Sequence, residues 1–295
     1  MGHLMSLKPR VSNLGFMQDV FGPADITGLV GHYREHGYGV LRGAVDGALL
    51  HELETQCADA QRSLMAGELE HRHGTTELGD TKPQGDATEF ANFVLHVTEI
   101  SPAARDVTHS EPILKAVRAI LGERCWAGDE DRFGFVFQDA RPSEASSYKR
   151  IGWHSDWQSG PHLAMWPSTA VTVNIDETGP PNGFLRVVPG SHLWATPAPY
   201  ENVNGAVVPE GSAPTGGHTD RPPPFPMPLR FEKIPGEIAV YAEKGDVFFH
   251  DCYLWHAAAM ATEAGARRRH LRGSWYGGRR PERQREGDFV KNAAR

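Results

Sequence analysis

The hydrophobic pattern changes its period once along this chain, and that change limits the folds open to it. Before Gly122, apolar residues recur at helical spacing and predict helices from Asp25 to Gly37, from Asp46 to about Leu64 and from Glu111 to Leu121. Tyr38 to Leu41 is predicted as a short strand between the first two helices. After Gly122, short apolar runs are separated by Pro and Gly, which is typical of strands.

Five strands are predicted in the second half of the chain, over residues 132–138, 169–175, 185–188, 238–242 and 247–250. Helices followed by strands predict an α+β protein in which helices support a β-sandwich or jelly roll. A chain of 295 residues can bury a large core, so we expect a single domain over residues 25–295. Residues 1–24 are expected to be a separate N-terminal segment, whose opening Met-Gly-His-Leu-Met is compatible with residues added for expression.

Two long stretches lack regular apolar spacing and are predicted as loops. Met65 to Thr88 is rich in Gly, His, Glu and Asp, and Glu201 to Pro228 contains three consecutive prolines. Loops of this length inside a domain are often functional, so both are candidate lids over a binding site.

Composition excludes several classes of protein. Hydrophobic residues make up 39% of the chain and charged residues 23%, as in ordinary globular proteins. The formal net charge of −7 disfavours nucleic acid as the main partner. No uncharged apolar window of about 18 residues occurs, which argues against a membrane span. Cys57, Cys125 and Cys252 are far apart, so a disulfide framework is not predicted and the reducing cytoplasm is the expected location.

The segment Gly152-Trp153-His154-Ser155-Asp156-Trp157 carries the main chemical signal. On an extended strand, His154 and Asp156 leave the same face and can share one metal ion. His256, 102 positions after His154, is the candidate third ligand. Two histidines and one carboxylate form a facial triad that leaves positions open on a non-haem Fe(II) for a co-substrate and O₂. Because His-x-Asp also arises often by chance, a surface pair is the alternative interpretation.

The motifs that follow Asp156 favour the metal site. They are Asn182-Gly183-Phe184-Leu185, Val188-Pro189-Gly190-Ser191-His192 and a Gly245-Asp246 strand that leads to Trp255-His256. This ordered set resembles the phytanoyl-CoA dioxygenase family of Fe(II)- and 2-oxoglutarate-dependent oxygenases over roughly residues 25 to 278. The Trp-His-Ser-Asp tetrad, with Gln138 sixteen positions upstream of His154, is most similar to the ectoine hydroxylases.

The resemblance implies a double-stranded β-helix, a cupin-like jelly roll, with supporting N-terminal helices. It also implies that His154, Asp156 and His256 bind Fe(II), and that 2-oxoglutarate and O₂ are co-substrates. In this family an arginine about eleven positions after the second histidine holds the distal carboxylate of 2-oxoglutarate. That spacing gives Arg267.

Two other arginines are candidates for the same role. A one-residue insertion would align Arg268-Arg269-His270-Leu271 with the family's Arg-Arg-x-Leu pattern, and strand parity sends Arg268 and Arg272 to one face. Arg272-Gly273-Ser274 contains an Arg-x-Ser spacing used for this purpose in other oxygenases of the fold. Arginine suits this role because its planar fork pairs bidentately with a carboxylate. The alternative is a solvated basic turn over Arg267 to Arg269 from which only one side chain points inward. We place Arg268 ahead of Arg267 and Arg272.

Gln138 lies on a predicted strand just before the metal segment, where the resemblance implies contact with 2-oxoglutarate or substrate. The alternative is a half-exposed strand glutamine. Arg186 either points into the mouth of the barrel or faces solvent. His192 and His250 are predicted to be structural residues near the site but outside the metal shell.

Three tryptophans flank the candidate ligands, and their bulk is expected to keep the iron site partly dry: Trp153, Trp157 and Trp255. After the tetrad, the Phe-Glu-Thr-Trp-His run of ectoine hydroxylases is replaced by Trp157-Gln158-Ser159-Gly160-Pro161-His162. Ectoine itself is therefore not the expected substrate.

The predicted activity is oxidation, most simply hydroxylation, of an unactivated C–H bond in a small-molecule metabolite or natural product. Ketone formation and desaturation are further outcomes of the same chemistry. Asp156 argues against a halogenase, because those relatives replace the carboxylate ligand with a small residue. A non-catalytic β-barrel that binds a metal or ligand is the alternative from another class, since a fold does not determine function. A zinc hydrolase or isomerase is the third hypothesis, although no general base is paired with the ligands at short spacing.

Overall fold

The computed structural model describes residues 20–74, 91–141, 152–159, 167–197, 202–203, 206–207, 215–226 and 231–280. Residues 75–88 of the first predicted loop, parts of the second, and residues 1–19 of the predicted N-terminal segment lie outside these ranges. Within the described ranges the helices are α1 Ile26–His36, α2 Gly47–Met65, α3 Val97–Ile100, α4 Pro102–Thr108, α5 Glu111–Leu121 and α6 Asp156–Ser159.

The described strands come mostly after the helices. The early ones are β1 Val20–Phe21, β2 Tyr38–Leu41, β3 Phe93–Val94, β4 Cys125–Ala127 and β5 Val136–Ala140. The middle ones are β6 Ser168–Asn174, β7 Leu185–Val187, β8 Thr196–Pro197, β9 Asn202–Val203, β10 Ala206–Val207 and β11 Thr215–Gly216. The last ones are β12 Ile238–Val240, β13 Val247–Asp251, β14 His256–Ala258 and β15 Arg268–Gly277.

The three predicted helices are confirmed, and their ends follow from short-range hydrogen bonds. The side chain of Asp25 accepts from the amide of Gly28 at the start of α1, and Gly37 ends that helix with a φ of 83°. Asp46 accepts from two amides at the start of α2 in the same way. The short helix α4 was not predicted, although Ser101 followed by Pro102 is a helix-start signal.

Two sheets form most of the β part of the described structure, and the pairs β9–β10 and β8–β11 form two further two-stranded sheets. The large sheet has the order β1-β2-β13-β6-β15-β5-β3, with β4 paired to the far end of β15. The small sheet has the order β12-β7-β14. Except for the parallel pair β1–β2, the strands of both sheets are paired antiparallel. This arrangement confirms a mixed α+β architecture with a large sheet and a few helices.

The large sheet is buried on both faces. Its outer face packs against the helices in a core that includes Leu29, Leu53, Val117, Val173 and Leu271. Its inner face packs against the small sheet, through side chains such as Val40 and Phe248 on one side and Val187 and Val240 on the other. Alternate residues of each central strand therefore belong to different layers, which decides the side chains that can reach the space between the sheets.

One predicted strand is wrong at its start. Residues 132–135 do not extend β5, because the chain turns before Val136. The amide of Gly134 donates to the carbonyl of Asp131 at 3.0 Å, and Gly134 has a φ of 56°. The described segment contains no helix long and apolar enough to cross a membrane. Cys57, Cys125 and Cys252 are all free thiols.

Candidate metal centre and active-site cavity

A cavity of about 610 Å³ lies between the two sheets. The side chains of β5, β6, β13 and β15 line it on one side, and those of β7, β12 and β14 on the other. The predicted site residues found in its lining are His154, Asp156, His256, Gln138, Arg268 and Arg272. Residues 131–134 and 152–153 form further parts of the wall. The structure thus brings most of the candidates into one cavity.

His154, Asp156 and His256 form one cluster in this cavity. Their candidate ligand atoms all lie within 4.8 Å of one another. Oδ1 of Asp156 is 3.9 Å from Nε2 of His154 and 3.6 Å from Nε2 of His256. Within the described ranges, this is the group of three His, Cys, Asp or Glu side chains whose ligand atoms lie close enough together to hold one metal ion.

The main chain brings the two histidines together. The amide of His154 donates to the carbonyl of His256 at 3.0 Å, and the amide of His256 donates to the carbonyl of His154 at 2.9 Å. This reciprocal pair is an isolated antiparallel bridge outside the longer ladders. Trp255, next to His256, is held in turn, since its amide donates to Oγ of Ser191 at 2.8 Å.

Asp156 reaches the cluster in a way that strand parity does not describe. The expectation that His154 and Asp156 lie on one extended strand is wrong, because Asp156 is the first residue of the short helix α6. The amide of Trp157 donates to the carbonyl of Cys252, which holds this turn against the end of β13. The carboxylate therefore converges on His154 through a turn of the chain.

Each histidine presents Nε2 to the carboxylate. Nδ1 of His154 donates to the carbonyl of Gly152 at 2.8 Å, and Nδ1 of His256 donates to the carbonyl of Leu254 at 2.9 Å. With the proton on Nδ1, Nε2 keeps its lone pair free to bind a cation. Both rings are thus in the tautomer that a metal ligand requires.

The electrostatics of the cluster suit a cation. Burial lowers the pKa of His154, and it lowers the pKa of His256 well below its usual range. Burial by itself would raise the pKa of Asp156, but the hydrogen bond from His250 and the electrostatic attraction of the neighbouring imidazoles outweigh it and hold that pKa well below normal. A carboxylate anion between neutral imidazoles is the protonation state that divalent metals bind.

His250 contacts the candidate metal ligand directly. Its Nε2 donates to Oδ2 of Asp156 at 3.1 Å, on the side of the carboxylate away from Oδ1. The side chain of His250 is almost fully buried, with 6% of its surface exposed. The sequence predicted a structural histidine near the site, and this contact shows what the side chain does there, since it fixes the orientation of the carboxylate.

We expect His250→Leu to weaken metal binding roughly 10- to 100-fold, the usual cost of losing a group that orients a metal ligand. His250→Gln should recover part of the loss, because its amide can still donate to Asp156. Anaerobic titration with Fe(II), or with Co(II) as a spectroscopic probe, measures the affinity. His192→Gln is the control for loss of a buried histidine elsewhere. Equal metal affinity in wild type and His250→Leu would contradict the assignment.

The three candidate arginines take different places. Arg268 and Arg272 line the cavity, as strand parity predicted, together with His270 between them. Arg267 lies just before β15 and makes a bidentate pair with the buried carboxylate of Asp139, at 3.0 and 2.9 Å. It is not among the described lining residues of the cavity.

Arg269, the other member of the basic run, faces the helices. It pairs with Asp176 and reaches Glu54 of α2. Two neighbouring arginines therefore serve the packing of the sheet, while Arg268 faces inward.

The Asn182-Gly183 motif shapes the surroundings of Arg268. Nδ2 of Asn182 donates to the carbonyl of Arg267 at 3.0 Å, which ties this turn to the start of β15. Gly183 has a φ of 86°, and a Cβ placed there would lie 2.7 Å from the carbonyl oxygen of Ala259 and 3.3 Å from Nη1 of Arg268. Glycine at this position therefore leaves the space that the guanidinium of Arg268 occupies.

A polar row crosses the large sheet beside Arg268. Gln138, His270 and Asn174 are paired residues on β5, β15 and β6, and all three line the cavity. Burial, followed by the charges of Arg268 and Arg272, lowers the pKa of His270 well below its usual range. The row therefore offers uncharged hydrogen-bonding groups. Sequence reasoning singled out Gln138 but missed His270 and Asn174, which the alternation of β15 and β6 could have indicated.

The remaining candidates lie outside the cluster. Arg186 neither points into the cavity nor faces solvent, because it pairs with Glu237 at 2.5 Å and lies over the ring of Trp153. His192 lines a second cavity of about 450 Å³, which contains none of the three candidate ligands. Of the tryptophans, Trp153 lines the main cavity, whereas Trp157 and Trp255 are buried beside it.

Comparison with known proteins places this geometry in context. The model of the family described as phytanoyl-CoA dioxygenase (PhyH) matches residues 33–269. No curated protein sequence matches the chain.

Solved structures similar to this chain include the non-haem α-ketoglutarate-dependent epimerase SnoN from nogalamycin biosynthesis. It is 20% identical, with a TM-score of 0.58 over 88% of this chain and 87% of its own. EctD from S. alaskensis, solved with 2-oxoglutarate and 5-hydroxyectoine, is 16% identical, with a TM-score of 0.58 over 84% of this chain and 74% of its own.

The α-ketoglutarate-dependent carbocyclase SnoK from nogalamycin biosynthesis is also similar. It is 17% identical, with a TM-score of 0.56 over 85% of this chain and 83% of its own. At these identities the likeness shows the fold alone.

Proposed function

The chain belongs to the phytanoyl-CoA dioxygenase family, and on that premise we propose that it is an Fe(II)- and 2-oxoglutarate-dependent dioxygenase. The observation that carries the proposal is the cluster of His154, Asp156 and His256 inside a cavity that also contains a buried arginine. Two imidazole nitrogens and one carboxylate oxygen are the donor set of non-haem Fe(II) oxygenases. When bound, iron and 2-oxoglutarate supply oxidation of a C–H bond by O₂, with conversion of the co-substrate to succinate.

The three candidate ligands suit Fe(II) in their protonation states and in the hydrogen bonds that hold them. His154 and His256 would donate through Nε2, since Nδ1 of each is held by a carbonyl oxygen. Asp156 would donate through Oδ1, because Oδ2 accepts from His250. About a third of the Asp156 side chain faces the cavity, so a metal can reach it. A donor set held in place before the metal binds is expected to bind it with little rearrangement.

Arg268 is the proposed partner of the distal carboxylate of 2-oxoglutarate. Its side chain is buried, with 5% of the residue exposed, and it faces the cavity beside Gln138 and His270. The pair that Arg267 forms with Asp139 favours Arg268 over Arg267 for this role. Gln138 is proposed to contact 2-oxoglutarate or the substrate from the adjacent strand. The rest of the wall holds the substrate and excludes water.

The finer parts of the proposal concern fold and reaction. The two packed sheets support a double-stranded β-helix within a single domain over residues 25–295. Strand β1 lies before residue 25 and pairs with β2 of this domain, so the large sheet begins slightly earlier in the chain. The reaction proposed is hydroxylation of a small-molecule metabolite or natural product in the cytoplasm. SnoN and SnoK are an epimerase and a carbocyclase, so the outcome of oxidation needs a direct test.

The test begins without oxygen. We expect Fe(II) and 2-oxoglutarate together to give a visible charge-transfer absorption band that neither gives alone with the protein. On exposure to O₂ with a panel of candidate metabolites, succinate should form and mass spectrometry should detect a product that gains one oxygen atom. A product of unchanged mass would instead indicate epimerisation. Loss of two hydrogens would indicate desaturation, ring closure or oxidation of an alcohol to a ketone.

Two results would contradict the proposal in different ways. Failure to bind Fe(II) and 2-oxoglutarate would remove the assigned cofactors. Binding of both without any succinate in the presence of O₂ would favour a non-catalytic metal-binding β-barrel. The variant Asp156→Ala is the matched control for succinate formed by free iron.

A further inference from the structure

The cavity holds more positive than negative side chains. Its charged residues, among those described, are Arg132, Arg268, Arg272, Asp131 and Asp156. Under the proposed function, Fe(II) would add two positive charges and 2-oxoglutarate two negative charges, so the excess of one positive charge is unchanged. Burial raises the pKa of Asp131 to about 6, which still leaves this carboxyl mostly ionised at neutral pH. Because Arg132 is exposed, this count alone does not select an anion, and the inference depends on the position of Arg272.

Arg272 lies where an anionic group would meet the metal cluster. On β15 it is paired with Thr172 of β6 and Val136 of β5. The next inward-facing residue of β15 is Ser274, which is paired with Ala170 of β6. Ala170 is paired in turn with His250 of β13. His250 in turn contacts Asp156. Arg272 is thus one row away from the side chain that touches the metal ligands.

Arg268 lies on the far side of His270 from Arg272. Four residues of strand separate the Cα atoms of the two arginines by about 13 Å. His270 faces the cavity between them. The proposed function assigns 2-oxoglutarate to Arg268, so Arg272 is the second cation of β15 in this cavity.

Arg272 and Arg132 differ in burial. Arg272 is half-buried in the wall of the cavity. Arg132 is exposed, and its guanidinium lies over the ring of Phe133. Arg272 is therefore better shielded from solvent than Arg132.

We propose that Arg272 binds an oxyanion of the primary substrate, such as a carboxylate, and so restricts the enzyme to small anionic molecules. The inference rests on the proposed function and extends it to the substrate class. An arginine fork can hold a carboxylate through two parallel hydrogen bonds, which places the neighbouring carbon atoms reproducibly. The arginine would in this way orient the C–H bond that is oxidised toward the metal.

The test uses a matched pair of probes, 4-fluorobenzoate and its neutral methyl ester. The protein is loaded with Zn(II), which does not react with O₂, and saturated with 2-oxoglutarate. Fluorine NMR line broadening then measures binding of each probe. We expect the acid to bind and the ester to bind at least about tenfold more weakly, because a hydrogen-bonded charge contributes about 1.5–3 kcal/mol.

Variants assign the selectivity to one residue. Arg272→Gln should weaken binding of the acid roughly 10- to 100-fold without changing binding of the ester. Arg272→Lys should retain part of the preference, since it keeps the charge without the fork. Arg132→Gln is the control for a cavity arginine at the rim and should leave the preference intact. The affinity for 2-oxoglutarate, measured in the same samples, should be unchanged in Arg272→Gln.

The outcomes separate this inference from the proposed function. Equal binding of acid and ester, or no binding of either to the wild type, overturns the role of Arg272. Loss of 2-oxoglutarate affinity in Arg272→Gln also overturns it, because the residue would then be the anchor of the co-substrate. Preference for the acid in protein that binds no 2-oxoglutarate would support the anion site while removing the proposed dioxygenase function.

Discussion

Replacing His154, Asp156 or His256 with alanine is expected to abolish turnover and to lower metal affinity by more than the roughly 10- to 100-fold that loss of an orienting group costs. Each residue supplies one of three donor atoms that lie within 4.8 Å of one another. Removing one leaves two donors, which no longer define a face of the metal coordination sphere. Anaerobic Fe(II) titration and succinate formation measure the two effects.

Asp156→Gly sharpens this test. Glycine removes the carboxylate without adding bulk, so water can enter the vacated position while the histidines stay in place. Metal affinity and hydroxylation should both fall. Thermal unfolding of the wild type and of each variant, all measured without metal, checks that each variant is folded. A difference in metal binding cannot then change the melting temperature. Full activity in any one variant would exclude that residue from the triad.

Arg268→Ala is expected to raise the apparent KM for 2-oxoglutarate by about a hundredfold to a few thousandfold, with metal affinity nearly unchanged. The truncation leaves a carboxylate unpaired in the cavity, a cost of about 3–5 kcal/mol. Arg268→Lys should recover only part of the loss, because a single ammonium group cannot reproduce the planar fork. Initial rates against 2-oxoglutarate concentration give the KM.

The other two arginines provide the comparison. Arg272→Ala keeps Arg268 in place and should leave the KM for 2-oxoglutarate near that of the wild type. Arg267→Ala removes a partner of Asp139, so its expected defect is in stability. A normal KM for Arg268→Ala with a raised one for Arg267→Ala or Arg272→Ala would show that another arginine is the anchor. Normal values for all three would count against the assignment of the co-substrate.

The sequence predicted much of the site because its signals are local or ordered along the chain. Asp25, Asp46 and Gly37 bound the first helices through contacts within a few residues. The alternation of β15 separated Arg268 and Arg272 from Arg269 correctly. The convergence of the triad was also anticipated, although α6 delivers Asp156 through a turn that two-residue spacing does not reveal.

What the sequence did not reveal depends on pairing between distant segments. The contact of His250 with Asp156 joins residues 94 positions apart, and that of Arg267 with Asp139 joins residues 128 apart. Neither partner carries a motif that indicates the other. Counting from His256 gives Arg267, whereas the structure turns Arg267 toward Asp139 and Arg268 into the cavity. The contact of Asn182 with the carbonyl of Arg267 comes from far away in the sequence.

The main-chain bridge between His154 and His256 bears on how the protein meets its iron in the cell. Backbone hydrogen bonds at 3.0 and 2.9 Å hold the two residues side by side, so no metal is needed to gather them. The metal-free chain is therefore expected to fold with both histidines already side by side. Iron added to it would complete the site without refolding of the chain.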